Sequence, residues 1–221
     1  MKKIVTLAML VVAALFANAQ SKLDYKTIKD IIDNEKAYYN DILNIYLNDD
    51  PYIRVDDYAL VYYGQSFLPS YNGGTDDNEV TLKNHAAQGK LMEQYETAKK
   101  ILEYNPVSLN ALFYAWRASD ELIKPEEETN SYLKKYLGIL DMITTIGDGK
   151  NTDTPFRVIC PDDQDHILYG KLDVETVVSR SLDTQSLCNI ITIVPTDKFP
   201  SRSVYIDVSR YLSHTAKSQN R

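Results

Sequence analysis

The hydrophobic pattern of this sequence changes its period once, at Gly147-Asp148-Gly149. Before this point, residues 95–146 carry apolar side chains three and four positions apart, which places them on one face of an α-helix. After it, short segments alternate apolar and polar residues, as half-buried strands do. Helices that precede strands, rather than alternate with them, are typical of an α+β fold. The sequence therefore predicts an N-terminal helical bundle packed on a small C-terminal antiparallel β-sheet.

The helical part is predicted to contain consecutive amphipathic helices with well-marked ends. Asn105 precedes Pro106 and is thereby pushed out of the α region, so one helix ends there. Ser108 is a suitable N-cap for the next helix, and the acidic residues after Pro125 suit the positive end of a third helix dipole. Earlier helices are expected over residues 23–34, 36–47 and 55–65, and a further one from near residue 81.

The helical pairs around Pro106 resemble tetratricopeptide repeats, in which two helices are joined by a tight turn. No second copy follows at a period of about 34 residues, however. A repeat-like stack and a local three-helix core are both compatible with residues 95–146.

The C-terminal part is predicted to form an antiparallel meander of three strands, over residues 173–180, 188–194 and 203–208. Residues 156–159 are also strand-like, and residues 162–169 are typical of one or two helical turns. We expect a single domain over residues 20–212, with a helical part to residue 149 and a β-rich part from residue 150. The polar tail, residues 213–221, is expected to fray.

The first nineteen residues have the pattern of a secretory signal peptide. Lys2-Lys3 form the basic segment, residues 4–16 the apolar segment, and Ala17-Asn18-Ala19 the cleavage site. No cysteine follows the site, so a lipoprotein is not expected. Nothing later in the chain is long and apolar enough to span a bilayer. The sequence thus predicts an exported protein, located in a periplasm or outside the cell.

The charge of the mature chain disfavours nucleic acid as a partner. The full chain has 24 basic and 31 acidic side chains, and removing Lys2 and Lys3 leaves 22 basic ones and a net charge of −9. An acidic chain without a basic stripe repels phosphate backbones. The expected partner is therefore an unknown protein or a small ligand.

An aromatic cluster on the third helix and the loop after it is the candidate binding surface. Its members are Tyr58, Tyr62, Tyr63, Phe67 and Tyr71. Tyr58 and Tyr62 lie four residues apart on one helix face and are expected to pack in the core. Tyr63 and Tyr71 cannot share that face, so we expect them to be exposed. The alternative is that most of the cluster is core.

The two cysteines, Cys160 and Cys188, leave two alternatives open. An oxidising compartment permits a disulfide between them. Two free thiols that pack as small hydrophobic side chains are the other alternative.

Pairs of adjacent carboxylates are the candidate catalytic groups, because glycoside hydrolysis uses two of them. The pairs are Asp49-Asp50, Asp56-Asp57, Asp76-Asp77 and Asp162-Asp163. Nothing in the sequence places two of these carboxylates across a cleft. Helix starts and turns are enough to explain all four pairs.

The remaining residues give no catalytic, cofactor or metal site. Cys160 and His166 are six residues apart across a turn, His85 and His214 stand alone, and no nucleophile elbow or phosphate-binding glycine loop is present. The loop over residues 148–153 lacks the ligand order of a calcium loop. No cofactor is predicted.

Several short motifs resemble those of the DUF4919 family, a domain of unknown function in exported proteins of Bacteroidetes. The resemblance covers about residues 24–208 and depends on Asp57-Tyr58, Tyr62-Tyr63-Gly64, the loop around Tyr71, Gly147-Asp148-Gly149 and Thr154-Pro155-Phe156-Arg157-Val158-Ile159. One stretch departs from the family pattern: Phe67-Leu68-Pro69-Ser70-Tyr71-Asn72-Gly73 replaces a sequence close to Phe-Gln-Pro-Asp-Tyr-Asn-Pro. The resemblance implies export and a fold, and it implies no reaction.

The sequence as a whole favours a non-catalytic, exported protein- or ligand-binding module. The alternative is a periplasmic hydrolase, or an accessory protein of carbohydrate processing, that uses paired carboxylates. Two carboxylates that face each other across a concave pocket, roughly 5 to 9 Å apart, would favour the enzyme. A convex, tyrosine-rich surface would favour binding.

Overall fold

The structure, a computed structural model, describes residues 24–219; the predicted signal peptide lies outside the described residues. The helices come first: α1 (Tyr25–Asn34), α2 (Lys36–Leu47), α3 (Val55–Gln65), α4 (Asp77–Ala87), α5 (Leu91–Tyr104), α6 (Leu109–Glu121) and α7 (Glu126–Ile146). They are followed by β1 (Phe156–Arg157), α8 (Asp163–Gly170), β2 (Val177–Asp183), β3 (Cys188–Ile193), β4 (Ser203–Asp207) and α9 (Ser209–Gln219). The predicted α+β fold is confirmed.

Side-chain caps fix the starts of several helices. Asp24 accepts a hydrogen bond from Thr27 N at 2.7 Å at the start of α1, and Asp76 accepts one from Glu79 N at 2.9 Å at the start of α4. The predicted cap of α6 is confirmed, because Ser108 Oγ accepts from Ala111 N at 3.1 Å. Each cap satisfies a backbone donor that has no partner within its own helix.

The expected continuous helix from residue 81 into the centre is wrong, because the chain turns between α4 and α5. Gly89 lies in this turn with φ +66°, a left-handed conformation that glycine adopts without strain. Lys90 N donates to His85 O at 3.0 Å and closes the end of α4. The reversal allows α4 to pack against α5, and each later helix through α7 packs against the one before it. A relation to tetratricopeptide repeats stays a prediction.

Helix α3 lies at the centre of the bundle and is buried on every side, from Asp57 to Gln65. Its partner α7 approaches closely at Gly138, where an added Cβ would lie 2.3 Å from the Tyr58 ring. The helices and the sheet share one hydrophobic cluster, in which Leu140 of α7 and Ile206 of β4 are fully buried. The sheet therefore covers the bundle rather than standing apart from it.

The sheet has the strand order β1-β4-β3-β2. The predicted antiparallel pairing of β2 with β3 and of β3 with β4 is confirmed. The sheet is mixed, however, because β1 pairs with β4 in parallel, with Phe156 opposite Ile206. A long connection through α8 and the β2–β3 hairpin separates the two strands and brings them together in the same direction.

Two boundaries in this part differ from the prediction. Strand β2 begins at Val177 rather than at residue 173, because Val174 N donates to Leu168 O and holds this segment against the end of α8. Residues 213–219 lie in α9, which ends at Gln219, and the last two residues of the predicted tail lie outside the described residues. The guanidinium of Arg210 anchors this helix, donating to Ser66 Oγ at 3.1 Å and to Ser66 O at 2.9 Å. None of the helices in residues 24–219 has both the length and the apolar character needed to cross a membrane.

Candidate functional site

The aromatic cluster predicted as a binding surface lies mostly in the core. Tyr58, Tyr62 and Tyr63 are 8%, 0% and 2% exposed. The predicted exposure of Tyr63 is therefore wrong. Its ring packs edge-on against Tyr25 and Tyr62, with centroids 5.5 Å and 5.0 Å away.

Phe67 and Tyr71, the other two members, are half-buried. The Arg210 guanidinium lies 4.0 Å from the Phe67 ring centroid. The Tyr71 hydroxyl donates to the Ile159 carbonyl, and its ring lies 4.8 Å from that of His214. Phe67 and Tyr71 thus join the loop after α3 to the C-terminal part.

Cys160 and Cys188 are both free thiols, so the disulfide alternative is corrected. Cys188 lies in β3 opposite Asp207. Cys160 packs against the loop at Gly74, where its sulfur occupies the place that a Cβ would take. Burial raises the pKa of the Cys160 thiol well above its usual value. Cys188 is buried and Cys160 is half-buried, and both are free, as in the other alternative left open by the sequence.

An open cleft of about 380 Å³ lies where α4, α6, α7 and α8 meet. Its aromatic lining comes from Phe113, Tyr114, Tyr136 and Tyr169, and its polar lining from Lys83, Asn110, Asp162, Asp165 and His166. Gly170 completes the rim, where an added Cβ would lie 2.8 Å from the Tyr136 hydroxyl. The volume is in the range of small-molecule sites, about 300 to 1,000 Å³.

Two helix faces supply most of this lining. Asn110, Phe113 and Tyr114 lie three and four residues apart on α6, so they share one face. Asp162, Asp165, His166 and Tyr169 repeat the same spacing at the start of α8 and along it. The cleft is therefore the gap between two amphipathic helices whose facing sides are aromatic and polar.

Asn110 is the centre of the polar network in the cleft. Its amide nitrogen donates to Asp162 Oδ2 at 3.0 Å and to Glu79 Oε2 at 3.3 Å. Its amide oxygen lies 2.9 Å from His166 Nε2. Because an amide oxygen only accepts, His166 carries its proton on Nε2. The Tyr136 hydroxyl, 3.2 Å away, then donates to His166 Nδ1.

The His166 ring is neutral at pH 7. Burial lowers the pKa of His166 to about 4, because removing the imidazolium from water disfavours it. The nearby carboxylates of Asp162 and Asp165 act in the opposite direction and do not outweigh burial. As a neutral ring, His166 can keep both hydrogen bonds, from Nε2 to Asn110 and from the Tyr136 hydroxyl to Nδ1, and these fix its orientation.

A second polar layer lies behind Asn110, away from the cleft. Glu79 is 2% exposed and accepts a hydrogen bond from Ser108 Oγ at 2.8 Å. Asp163 is 3% exposed and accepts from the Tyr62 hydroxyl at 2.7 Å and from Cys160 N at 3.1 Å. Burial raises the pKa of both carboxyls, that of Asp163 to about 8. Asp163 is therefore mostly protonated at pH 7.

A small hole of about 10 Å³ lies between these two carboxyls. Asn105 lines it, and the buried Oδ1 of Asn105 has no hydrogen-bond partner among the described residues. The size is about that of one water molecule. This layer lies behind the cleft, since neither Glu79 nor Asp163 lines the cleft.

The predicted carboxylate pairs serve mainly as structural groups. Asp57 accepts from the Arg54 backbone at 2.9 Å, Asp76 caps α4, and Asp49 accepts from Lys135 at 3.0 Å. Only Asp162 and Asp163 belong to the candidate site, and they diverge. Asp162 lines the cleft, whereas Asp163 is buried behind it.

The two carboxylates of the cleft do not form the arrangement expected of a hydrolase. Asp162 and Asp165 are three residues apart on α8, so they lie on one wall rather than on opposite walls. Each is paired with a cation: Lys83 Nζ lies 2.7 Å from Asp162, and Arg180 lies 2.5 Å from Asp165. Across residues 24–219, no three His, Cys, Asp or Glu side chains are grouped as metal ligands. Among the described residues, the cleft therefore lacks a pair of carboxylates that face each other.

The sequence patterns did not identify the main residues of the cleft, which are Asn110, Phe113, Tyr136 and His166. A usable signal exists for Asn110, a polar residue in the first turn of α6 whose neighbours Leu109 and Ala111 are apolar and buried. The sequence indicates only Cys160 as a partner for His166. Its real partners come from α6 and α7, and their proximity depends on the tertiary fold.

Comparison with known proteins gives one match. The model of a family described as "Domain of unknown function (DUF4919)" matches residues 26–217. This region includes all the helices that line the cleft. No curated protein and no solved structure matches the chain.

Proposed function

The chain belongs to the DUF4919 family, and from that premise we propose that it is an exported, non-catalytic module that binds a small ligand in the cleft between α6 and α8. The single observation that carries this proposal is the cleft itself. It combines aromatic walls with polar groups that converge on Asn110. Concave, mostly apolar sites with a few fixed polar groups are the usual form of small-molecule sites.

The polar groups of the cleft are held in place before any ligand arrives. Asn110 is fixed by Glu79 and His166, and His166 is fixed in turn by Tyr136. Groups that are already oriented lose little conformational freedom on binding, so more of the contact energy appears as affinity. This supports a binding role for the cleft.

The alternative, a hydrolase with paired carboxylates, has less support. Asp163, whose carboxyl pKa burial raises to about 8, is 3% exposed and lies behind the cleft, where it cannot reach a bound substrate. The carboxylates that do line the cleft share one wall and are ion-paired. A general acid and a base on opposite sides of a substrate are therefore missing from the described cleft.

Export is the second part of the proposal and depends on the signal pattern of residues 1–19. We expect the protein in the periplasm or the medium to begin at Gln20, and mass spectrometry of the N-terminal peptide tests this. A protein retained in the cytoplasm with Met1 intact would contradict export.

A fragment screen followed by NMR tests the binding function. The mature protein, labelled with ¹⁵N, is titrated with a library of neutral, anionic and cationic fragments. We expect hits to shift the amide signals of Asn110, Phe113 and His166 together. Tyr169→Ala removes an aromatic side chain of the cleft that is 51% exposed, so the variant should still fold but bind the fragments more weakly. Tyr52→Ala, at an 86% exposed site outside the cleft, is the control and should bind them as the unmodified protein does. Hits that leave these three amide signals unchanged would contradict the proposal.

A further inference from the structure

The charged side chains of the cleft are already balanced. Lys83 neutralises Asp162 at 2.7 Å, and Arg180 neutralises Asp165 at 2.5 Å. His166 adds no charge at pH 7, because burial lowers its pKa to about 4. The cleft therefore presents no excess charge of either sign with which to select an anion or a cation.

Glu79 and Asp163 are the other acids near the network, and neither lines the cleft. Both lie behind Asn110, and burial raises the pKa of both carboxyls, which favours their uncharged forms. The protein as a whole is acidic, with a formal net charge of −7 for the full chain. This net charge repels anionic ligands at long range.

The cleft is lined by aromatic side chains both in its half-buried part and at its exposed rim. Phe113 is half-buried, and its ring lies 5.6 Å from those of Tyr136 and His166. Tyr169 stands at the rim and is 51% exposed. Aromatic rings with one wet and one apolar side suit ligands that have an apolar face and a polar edge.

The polar groups offer both donors and acceptors within the same small volume. The Lys83 ammonium has three N–H groups and gives one to Asp162. The Asp162 carboxylate has about four lone-pair sites, and Oδ2 receives the bonds from Lys83 and Asn110. A hydroxyl group both donates and accepts, so a ligand with several hydroxyls can satisfy the two members of an ion pair at once.

From this combination we infer that the cleft takes a neutral, polyhydroxylated ring: an uncharged sugar or a short oligosaccharide end. The ring's C–H face lies against Phe113 and Tyr169, and its hydroxyls bond to Asp162, Lys83 and Asn110. This inference rests on the binding function proposed above and adds the chemical class of the ligand.

The test compares sugars that differ only in charge. The probes are the methyl glycosides of glucose, galactose and mannose, each with its uronic acid and its amino sugar. Binding to the mature protein is followed by the fluorescence of Trp116, the only tryptophan, whose ring lies 5.9 Å from Phe113. In at least one series we expect the neutral member to bind most tightly. Tyr169→Ala should weaken its binding about tenfold, and Tyr52→Ala should leave it unchanged.

Variants that remove one member of the Lys83–Asp162 ion pair give a second test, which compares relative affinities and so does not depend on how tightly any sugar binds. Lys83→Met leaves the Asp162 charge without its cation, so the affinity for the amino sugar should rise about threefold relative to the affinity for the neutral sugar. Asp162→Asn removes the carboxylate that neutralises Lys83, so the affinity for the uronic acid should rise by a similar factor relative to the affinity for the neutral sugar. Both shifts should shrink at high salt.

The outcomes separate this inference from the binding function. If a uronic acid or amino sugar binds the unmodified protein more tightly than the neutral member in every series, the inference is overturned. Fragments that bind the cleft while none of the sugars does would also overturn it and leave the binding function standing. If neither fragments nor sugars bind at the cleft, both proposals fail.

Discussion

Nε2 of His166 and Oδ1 of Asn110 lie 2.9 Å apart, and this bond joins α8 to α6 across the floor of the cleft. It fixes the neutral tautomer of His166, which then accepts from the Tyr136 hydroxyl. Three helices are thus held together by one amide and one imidazole. The geometry of the cleft depends on His166 keeping its uncharged form, because an imidazolium could not accept from the Tyr136 hydroxyl.

Asn110→Asp should raise the pKa of His166. The new carboxylate would lie beside the imidazole, and a nearby negative charge stabilises the imidazolium. The pKa of His166 should move from about 4 in the unmodified protein toward or above the usual 6.5. A ¹H–¹³C NMR titration of the histidine rings measures this change. An unmodified protein in which every histidine titrates near 6.5 would contradict the burial of His166.

The same substitution should also lower stability. It replaces the N–H donor that serves Glu79 and Asp162 with a third acid, and leaving buried acceptors without their donor costs about 1 to 3 kcal/mol each. Urea unfolding at pH 7 measures the loss. A free energy of unfolding within about 0.5 kcal/mol of the unmodified protein would contradict the proposed network.

Stability should fall between pH 6.5 and 8 because of Asp163. The pKa of this carboxyl is raised to about 8 in the folded protein from 3.8, so in this window the folded state holds a proton that the unfolded state has released. The slope approaches about 1.4 kcal/mol per pH unit and levels off above pH 8. His166 does not contribute here, because its lowered pKa confines its own effect to more acidic pH.

Asp163→Asn should remove this pH dependence. The amide has the shape of the protonated acid, and its oxygen can accept the bonds from Tyr62 and Cys160. We expect the variant to unfold with nearly the same free energy at pH 6.5 and pH 8. Urea unfolding at both pH values measures it, and equal slopes for the variant and the unmodified protein would contradict the assignment to Asp163.

Tyr62→Phe should destabilise the protein by about 1 to 3 kcal/mol. Its hydroxyl donates to Asp163 and accepts from Ile159 N at 3.2 Å, so its loss leaves the buried Ile159 N–H without a partner and leaves Asp163 with only the bond from Cys160 N. Tyr52→Phe is the matched control, because Tyr52 is 86% exposed and its change should stay within about 0.5 kcal/mol. Equal stabilities of the two variants in thermal or urea unfolding would count against the buried role of Tyr62.

Gly138→Ala should destabilise the protein although alanine favours helices. The added methyl would lie 2.3 Å from the Tyr58 ring, so α3 and α7 would have to separate, at a cost of about 1 to 3 kcal/mol. Asn130→Ala, at an exposed site of the same helix, is the control and should be neutral or slightly stabilising. A stabilised Gly138→Ala protein would show that the two helices are not in close contact there.

Local sequence signals predicted the elements of this fold well. The bounds of α2 and α3 match the prediction, and strand β3 ends at Ile193, one residue earlier than predicted. These elements have their own periodicity and their own end signals, such as the Asn48-Asp49-Asp50-Pro51 turn between α2 and α3. Such information lies within each segment, so it can be found without the rest of the chain.

Properties that depend on distant partners could not be predicted. Tyr63 was expected to be exposed because a surface helix buries only one face, but α3 is central and buries all its faces. The parallel pairing of β1 with β4 joins residues 50 apart, Phe156 and Ile206, through a connection that no local signal describes. The cleft likewise depends on four helices, and only the packed bundle brings Lys83, Asn110, Tyr136 and His166 together.

A crystal structure of the mature protein with the tightest-binding neutral sugar is the most direct measurement. We expect density for one sugar ring between Phe113 and Tyr169, with its hydroxyls on Asp162, Lys83 and Asn110. The bond between His166 and Asn110 should stay near 2.9 Å. A sugar bound at another surface, with the space between α6 and α8 filled only by solvent, would contradict the assignment of this cleft.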